Sequence, residues 1–325
     1  MFGQRTGVKV AILILNVTAA VNAYGQQYPT KPIRLVVPYA AGGTSDVIGR
    51  ILGERLGSVL GQPMVIDNRG GAGGFIGCEM VAKAPPDGYA LLIMTSSTHA
   101  AEPAMFRKMP FDPINDFAPI SQLTLAPTLL TVPASLPANS VAEFVTLAKA
   151  KLGRLNYASS GTGGTAHLAA ELFLQRSGAS MTHVPYKGAG PAVTDLIGGH
   201  VQMFFDTILS VLPHIKTGKL KALAVSSLAR SSTLPDLPTV AETYPGFEVT
   251  NWQGIEAPAG TPRAIIDKLN AGIAKVMAMQ DVRERILNLG ADPVSSTPEQ
   301  FAQFIDREKQ KWADVVKRAG IPPMD

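Results

Sequence analysis

Two glycine-rich turns hold the residues whose types and spacing could do chemistry. The first reads Tyr39-Ala40-Ala41-Gly42-Gly43-Thr44-Ser45-Asp46, and the second Ser159-Ser160-Gly161-Thr162-Gly163-Gly164-Thr165. Each follows a short apolar run and opens into a helical pattern. Unpaired N–H groups and the positive end of a helix dipole therefore converge on each turn, which is a ready anion site. Gly42 and Gly43 can take positive φ and let backbone come close to something small. Neither turn contains Lys or Arg; Arg50 lies more than one turn into the first helix. An anion here would be held by backbone N–H groups, hydroxyls and helix dipoles. Two such turns, one in each half of the chain, predict a cleft that grips a small molecule from both sides.

Further candidates end other strands. Thr95-Ser96 closes an apolar run, Tyr186-Lys187 closes another, and Asp206 closes a third. Asp206 suits either a helix N-cap or a cleft carboxylate for a ligand ammonium or hydroxyl. Asp46 suits the first turn of its helix, with ligand contact as the second option. His167, in the first turn after the second glycine loop, suits ligand contact or packing equally. Lys187 reads as a solvated lysine, and Trp252 as a side chain packed at a hinge. Other chemistries find little support. Gly161 to Ala166 fits G-x-G-x-x-A, yet the strand that follows ends in Tyr186-Lys187 where a dinucleotide site wants an acid. No G-x-S-x-G and no G-x-x-x-x-G-K-[ST] occurs, and the five histidines show no metal-ligand spacing. No cofactor or metal is expected, and no catalysis.

The elements that must position these residues alternate. Ile33 to Val37 is a β-branched strand ended by Pro38. Val47, Ile48, Ile51, Leu52, Leu56, Val59 and Leu60 then recur at helical spacing until Gly61, with Thr44 or Ser45 as the cap. Leu155 to Ala158 and Ala166 to Ser177 repeat the design. Apolar strands are also predicted at 64–66, 89–94, 128–132, 181–184, 201–205 and 220–225. Ser140-Val141-Ala142-Glu143 is a capping box. Thr261-Pro262 and Thr297-Pro298 each predict a helix start with Pro in the first helical position. Alternation of strand and helix predicts a mainly parallel α/β sheet, whose ligands sit beyond the carboxyl ends of its strands. Residues 112–127 read as a passage between domains and 247–257 as an extended return.

Composition sets the remaining bounds. A chain of 325 residues, 46% hydrophobic and 17% charged, is globular and long enough for two domains. Net charge is +4 with the cations scattered among acids, which argues against nucleic-acid binding. Arg5 and Lys9, the apolar run 10–20 and Val21-Asn22-Ala23 form a secretory signal pattern. Cleavage near Ala23 would remove two cations and no acid, leaving +2 from +4. A single cysteine, Cys78, leaves no internal disulfide and reads as a packed apolar residue.

The segments VPYAAGGTSDVIGR, VIDNRGGAGGFIG, AKAPPDGYALLIMTSS, YASSGTGGTAHLAAELF, HVPYKGAGPAVTDLIGGHVQMFFD, LPDLPTVAE and APAGTP follow one another along nearly all of the mature chain. In that order they resemble the Bug family, the periplasmic substrate-binding subunits of tripartite tricarboxylate transporters. The resemblance implies an α/β, two-domain periplasmic-binding-protein fold (type II, Venus flytrap) with a hinge of two crossover segments. It implies residues 24–126 with 250–325 as one domain and 127–249 as the other. It implies a small carboxylate ligand (an organic acid, acidic amino acid or aromatic acid), a monomer in the periplasm, and an integral membrane partner of one large and one small subunit. Carried onto this sequence, Tyr39, Gly42, Gly43 and Thr44, with Asp46 behind, would hold one carboxylate. Ser159, Gly161, Thr162, Gly163 and Thr165 would hold the other end, and Thr95, Ser96, Tyr186 and Asp206 would line the cleft. A ligand sensor on the same fold, or an exported enzyme using the cleft, are the alternatives.

Overall fold

The computed structural model describes residues 28–151, 153–186, 188–231 and 233–324. The signal pattern and Lys187 lie outside them. Strand β1 (Ile33–Val37) is buried except at Arg34 and leads into α1 (Thr44–Leu60). Gly61 ends α1 in the left-handed conformation, its N–H returning to the Gly57 carbonyl. The N-cap is Gly43, with extended backbone (φ −76°, ψ 169°), and neither Thr44 nor Ser45 caps with its side chain. Within the turn that precedes α1, positive φ is confined to Gly42, at +86°.

The next elements are β2 (Met64–Asn68), α2 (Phe75–Ala82) and β3 (Ala90–Thr95). A single 17-residue strand follows, β4 (Phe117–Pro133), where the sequence suggested a passage and then a new strand. Chain beyond it forms α3 (Val141–Ala150), β5 (Asn156–Ser159), α4 (Thr165–Ser177), β6 (Thr182–Pro185), α5 (Ala189–Ile197), β7 (Met203–Thr207), α6 (Ile208–Lys216) and β8 (Leu220–Val225). It returns through β9 (Thr250–Pro258) to α7 (Arg263–Met277), α8 (Gln280–Leu287), β10 (Asp292–Pro293) and α9 (Pro298–Ala319). Ser140 caps α3 as expected, and Thr297 with Gln300 forms a full capping box on α9. The start of α7 differs: Pro262 is the cap, and the Thr261 hydroxyl donates instead to the Pro258 carbonyl at 2.7 Å.

The strands run β2-β1-β3-β9-β4-β7-β5-β6, with β8 and β10 also pairing with β4. Only the ends are parallel: β2-β1-β3 on one side and β6-β5-β7 on the other. The middle is antiparallel, because β4 and β9 run in opposite senses between the halves. The expectation of a mainly parallel sheet fails there. From Phe117 to Pro127, β4 pairs with β9; from Thr128 it pairs with β7 and β8.

A core of aromatic side chains follows this ribbon. Trp252 is fully buried and meets Phe301 and Phe304 of α9 edge-on. Its Nε1 donates to Glu308 at 3.1 Å, and that buried carboxylate also pairs with Lys311. The same core continues to Phe173, Phe205 and Phe247 on the far side of the partner exchange in β4. Trp252 therefore packs where the halves meet.

Gly254 marks the tightest approach in this packing. A Cβ there would fall inside the Phe301 ring and 2.9 Å from the Ser121 carbonyl oxygen. Gly254→Ala should destabilise the fold by about 1–3 kcal/mol or more through overpacking. Gly254→Ala/Phe301→Leu should recover part of the loss. Urea unfolding of the two variants beside the wild type reads both effects.

Candidate ligand-binding site

The first glycine turn is held in place from behind. The Asp46 carboxylate accepts the Gly42 N–H at 2.8 Å and pairs with Arg50 at 3.0 Å. Arg50, then the Gly42 N–H, hold the Asp46 carboxyl below its usual range. Asn68 donates to the Tyr39 carbonyl at 3.2 Å. Asp46 is thus occupied in shaping the loop. The first N–H groups of α1, from Thr44 onward, have no intrahelical acceptor and no side-chain cap.

These N–H groups border a cavity of about 490 Å³. Tyr39, Gly43, Thr44, Thr95 and Ser96 line it, so the structure brings together five of the sequence-predicted residues. The Tyr39 hydroxyl and the Thr95 hydroxyl share a hydrogen bond of 2.9 Å. The floor was not legible as a site: it is the β4–β9 ribbon. Thr124 faces Gln253 and Ala126 faces Asn251 across the register, and all four line the cavity. Period-two alternation puts these four on one face; Trp252 also borders the cavity, while its ring packs against Phe301 and Phe304 of α9. That alternation, read from residues 247–257, was the signal available. Leu289, Gly290 and Ala291 close one side, and Ile48 adds apolar surface. Among the described residues no charged side chain lines the cavity.

The second glycine turn lies elsewhere. From its half of the chain, Thr207 reaches the cavity, but Ser159, Gly161, Thr162, Gly163, Thr165, His167, Tyr186 and Asp206 do not line it. Gly163, at φ +81°, is buried beneath Met105, whose Sδ would sit 2.8 Å from an added Cβ. Ser159 is fully buried; its hydroxyl donates to the Gly161 carbonyl at 3.1 Å and meets His183 Nε2 at 2.7 Å. His167 Nδ1 accepts the Gly163 N–H at 3.0 Å, and its ring stacks on His183 with centroids 3.9 Å apart. Tyr186 donates to Asp195 at 2.6 Å. Asp206 accepts the Thr207 N–H at 2.8 Å through Oδ1, while its Oδ2 is buried without a partner. Burial pushes this carboxyl up, against hydrogen bonds from Ser210 and Thr207. Thr207, one residue on, is the cap of α6. Thr162 alone of the turn's threonines is exposed.

By its chemistry, this arrangement can accept a small molecule with an anionic group at the α1 N-terminus and an uncharged body over the ribbon. The pattern that defines the tripartite tricarboxylate transporter family receptors matches residues 48–321. The chain belongs to that family. Protein BugT of Bordetella pertussis is 39% identical over 313 residues, covering 96% of each chain. A Rhodopseudomonas palustris protein solved with adipate shares 38% identity and a TM-score of 0.75, covering 91% of this chain and all of that one. MatC of the same organism, solved with bound malate, shares 35% identity and a TM-score of 0.70, over 89% of this chain and all of MatC. The fold is that family's two-domain periplasmic-binding-protein fold, as expected from the sequence. Two of its solved members hold carboxylates, adipate in one and malate in the other. Among the described residues no helix is long and apolar enough to cross a membrane, and no group of three acidic, His or Cys side chains is placed to hold a metal.

The stacked histidines give the second turn a pH dependence. Burial first, then His183, pushes His167 down to about 4 from an ordinary 6.5. A histidine with a depressed folded pKa contributes stability that is complete above 6.5 and lost as pH falls toward 4. Between pH 7 and pH 4 this is worth on the order of 3 kcal/mol. Wild type should lose more stability over that range than His167→Gln, by a comparable amount. Chemical unfolding of both proteins at the two pH values makes the comparison; parallel losses would refute it.

Proposed function

We propose that this protein is an exported, periplasmic solute-binding protein that captures a small carboxylate in the cavity beside the α1 N-terminus. The observation that carries the reading is that N-terminus: unpaired N–H groups border a cavity with no charged side chain on its walls among the described residues. A carboxylate there meets the positive end of a 17-residue helix and the hydroxyls of Thr44, Thr95 and Ser96. The relatives solved with adipate and malate support the ligand class. Signal cleavage near Ala23 would release the mature chain. Its partner would be the integral membrane part of a tripartite transporter, one large and one small subunit, met by a monomer. The role is capture and delivery, without catalysis.

Residues 24–126 with 250–325 form one lobe on this reading, and 127–249 the other, with β4 and β9 as the hinge. Closure would bring the second glycine turn and Asp206 toward the far end of the ligand. Ligand shifts the population toward the closed form. Adipate or malate, whichever binds more tightly by calorimetry, should reduce the radius of gyration in small-angle scattering. An unchanged radius at saturation would rule out the hinge.

Gly43 tests the anchor without straining the backbone. Its φ is ordinary, and an added Cβ would meet only the Ala40 carbonyl oxygen, at 3.6 Å. Gly43→Val should fold normally and weaken carboxylate binding at least about tenfold, by filling the space where the anion approaches. Thr44→Ala should cost about 0.5–1.5 kcal/mol, the worth of one hydrogen bond. Calorimetric titration with the same diacid measures both. Wild-type affinity in Gly43→Val would place the anion somewhere else.

A further inference from the structure

We propose that the groove between α4 and α9 is a docking surface for an acidic segment of a partner polypeptide. The groove holds about 290 Å³ and runs between Leu172, Gln175 and Arg176 of α4 and the face of α9 that carries Arg307, Lys311, Asp314, Val315 and Arg318. Its floor is apolar, with Leu172 and Val315 both buried. The two helices are locked there by the Gln175 side chain, which donates to the Val315 carbonyl at 3.1 Å. Positions 307, 311, 314 and 318 follow one helical stripe, so their side chains point together along one wall.

The charge on these walls is unbalanced. Arg50, Arg55, Arg230, Arg263 and Arg285 each sit in an ion pair. Arg176, Arg307 and Arg318 are all exposed; among the described residues Arg176 and Arg318 have no carboxylate partner, while Arg307 lies over the Phe304 ring and in the field of the Glu248 carboxylate. Lys311 is already engaged, by Glu308 and by the Glu248 carbonyl. Asp314 is the acid on the rim, against three exposed guanidinium groups. Guanidinium forks match carboxylates two bonds at a time, and arginine is enriched where partners dock. A concave trough with cations on its walls and an apolar floor fits a chain carrying two or three acidic side chains. A bilayer surface would instead be met by a flat or protruding basic face.

The test uses the mature chain and a fluorescein-labelled hexaglutamate peptide, followed by anisotropy at low and at physiological salt. Wild type should bind, more weakly as salt rises. Arg176→Glu/Arg307→Glu/Arg318→Glu should weaken binding at least about tenfold, and the milder triple Gln variant in the same direction. The same charge change at the exposed Lys151, Lys216 and Lys219, all outside the groove, should alter it less than about twofold. Sedimentation with phosphatidylglycerol vesicles should not change with the groove substitutions. Equal loss in both Glu triples, no binding by wild type, or groove-dependent binding to vesicles in place of the peptide would each overturn the proposal.

Discussion

The antiparallel pairing of β4 with β9 is the constraint on which the rest depends. Every element before Phe117 and after Pro258 hangs from one end of this ribbon, and every element between Ala134 and Val249 from the other. The ribbon also floors the cavity. Its Thr124, Ala126, Asn251 and Gln253 face the candidate site, and Trp252, between the latter two, borders the same cavity while its ring anchors α9. Alternation along one strand therefore ties the packing of the C-terminal helix to the shape of the binding surface. A shift of one residue in register would exchange the two faces.

The two glycine turns look alike in sequence but are held by different chemistry. In the first, an aspartate at the fourth residue after Gly42 takes that glycine's N–H and is neutralised by Arg50. In the second, a histidine at the fourth residue after Gly163 takes the equivalent N–H, and a second histidine supports its ring. Both side chains sit in the first turn of the following helix and reach back. Both leave the N–H groups of the helix itself uncapped. The acid and the imidazole thus shape the turns, and spacing alone did not separate that role from ligand contact.

Much of the fold was legible because its signals are local. β1, β8 and the ends of α1 and α4 at Gly61 and Gly178 follow from short apolar runs, helical periodicity and a left-handed stop. The unity of β4 was not legible, since Pro119, Pro127 and Pro133 punctuate it like a linker; it is extended because β9, over 100 residues away, pairs with its first part and β7 and β8 with its second. The same distance hid the floor of the site. Thr124 and Gln253 meet only through register, and Leu289 to Ala291 arrive through tertiary packing beside a two-residue strand. Motifs gave the loops that follow strands; non-local pairing gave the surface they face.

A carboxylate held without a formal cation has a physical consequence. A lone Lys or Arg in such a cavity would have to be stripped of water when no ligand is bound, at a cost that its attraction for the anion only partly returns. Backbone N–H groups at a helix end carry fixed partial charge that needs no reorganisation, and water satisfies them while the cavity is open. The anchor then recognises the carboxylate and little else. Discrimination between one acid and another, on the proposed reading, falls to side chains that a diacid's body would cross: the hydroxyl and amides of the ribbon, the Ile48 surface and the Leu289 loop. The division of labour follows from which groups are backbone and which are side chain.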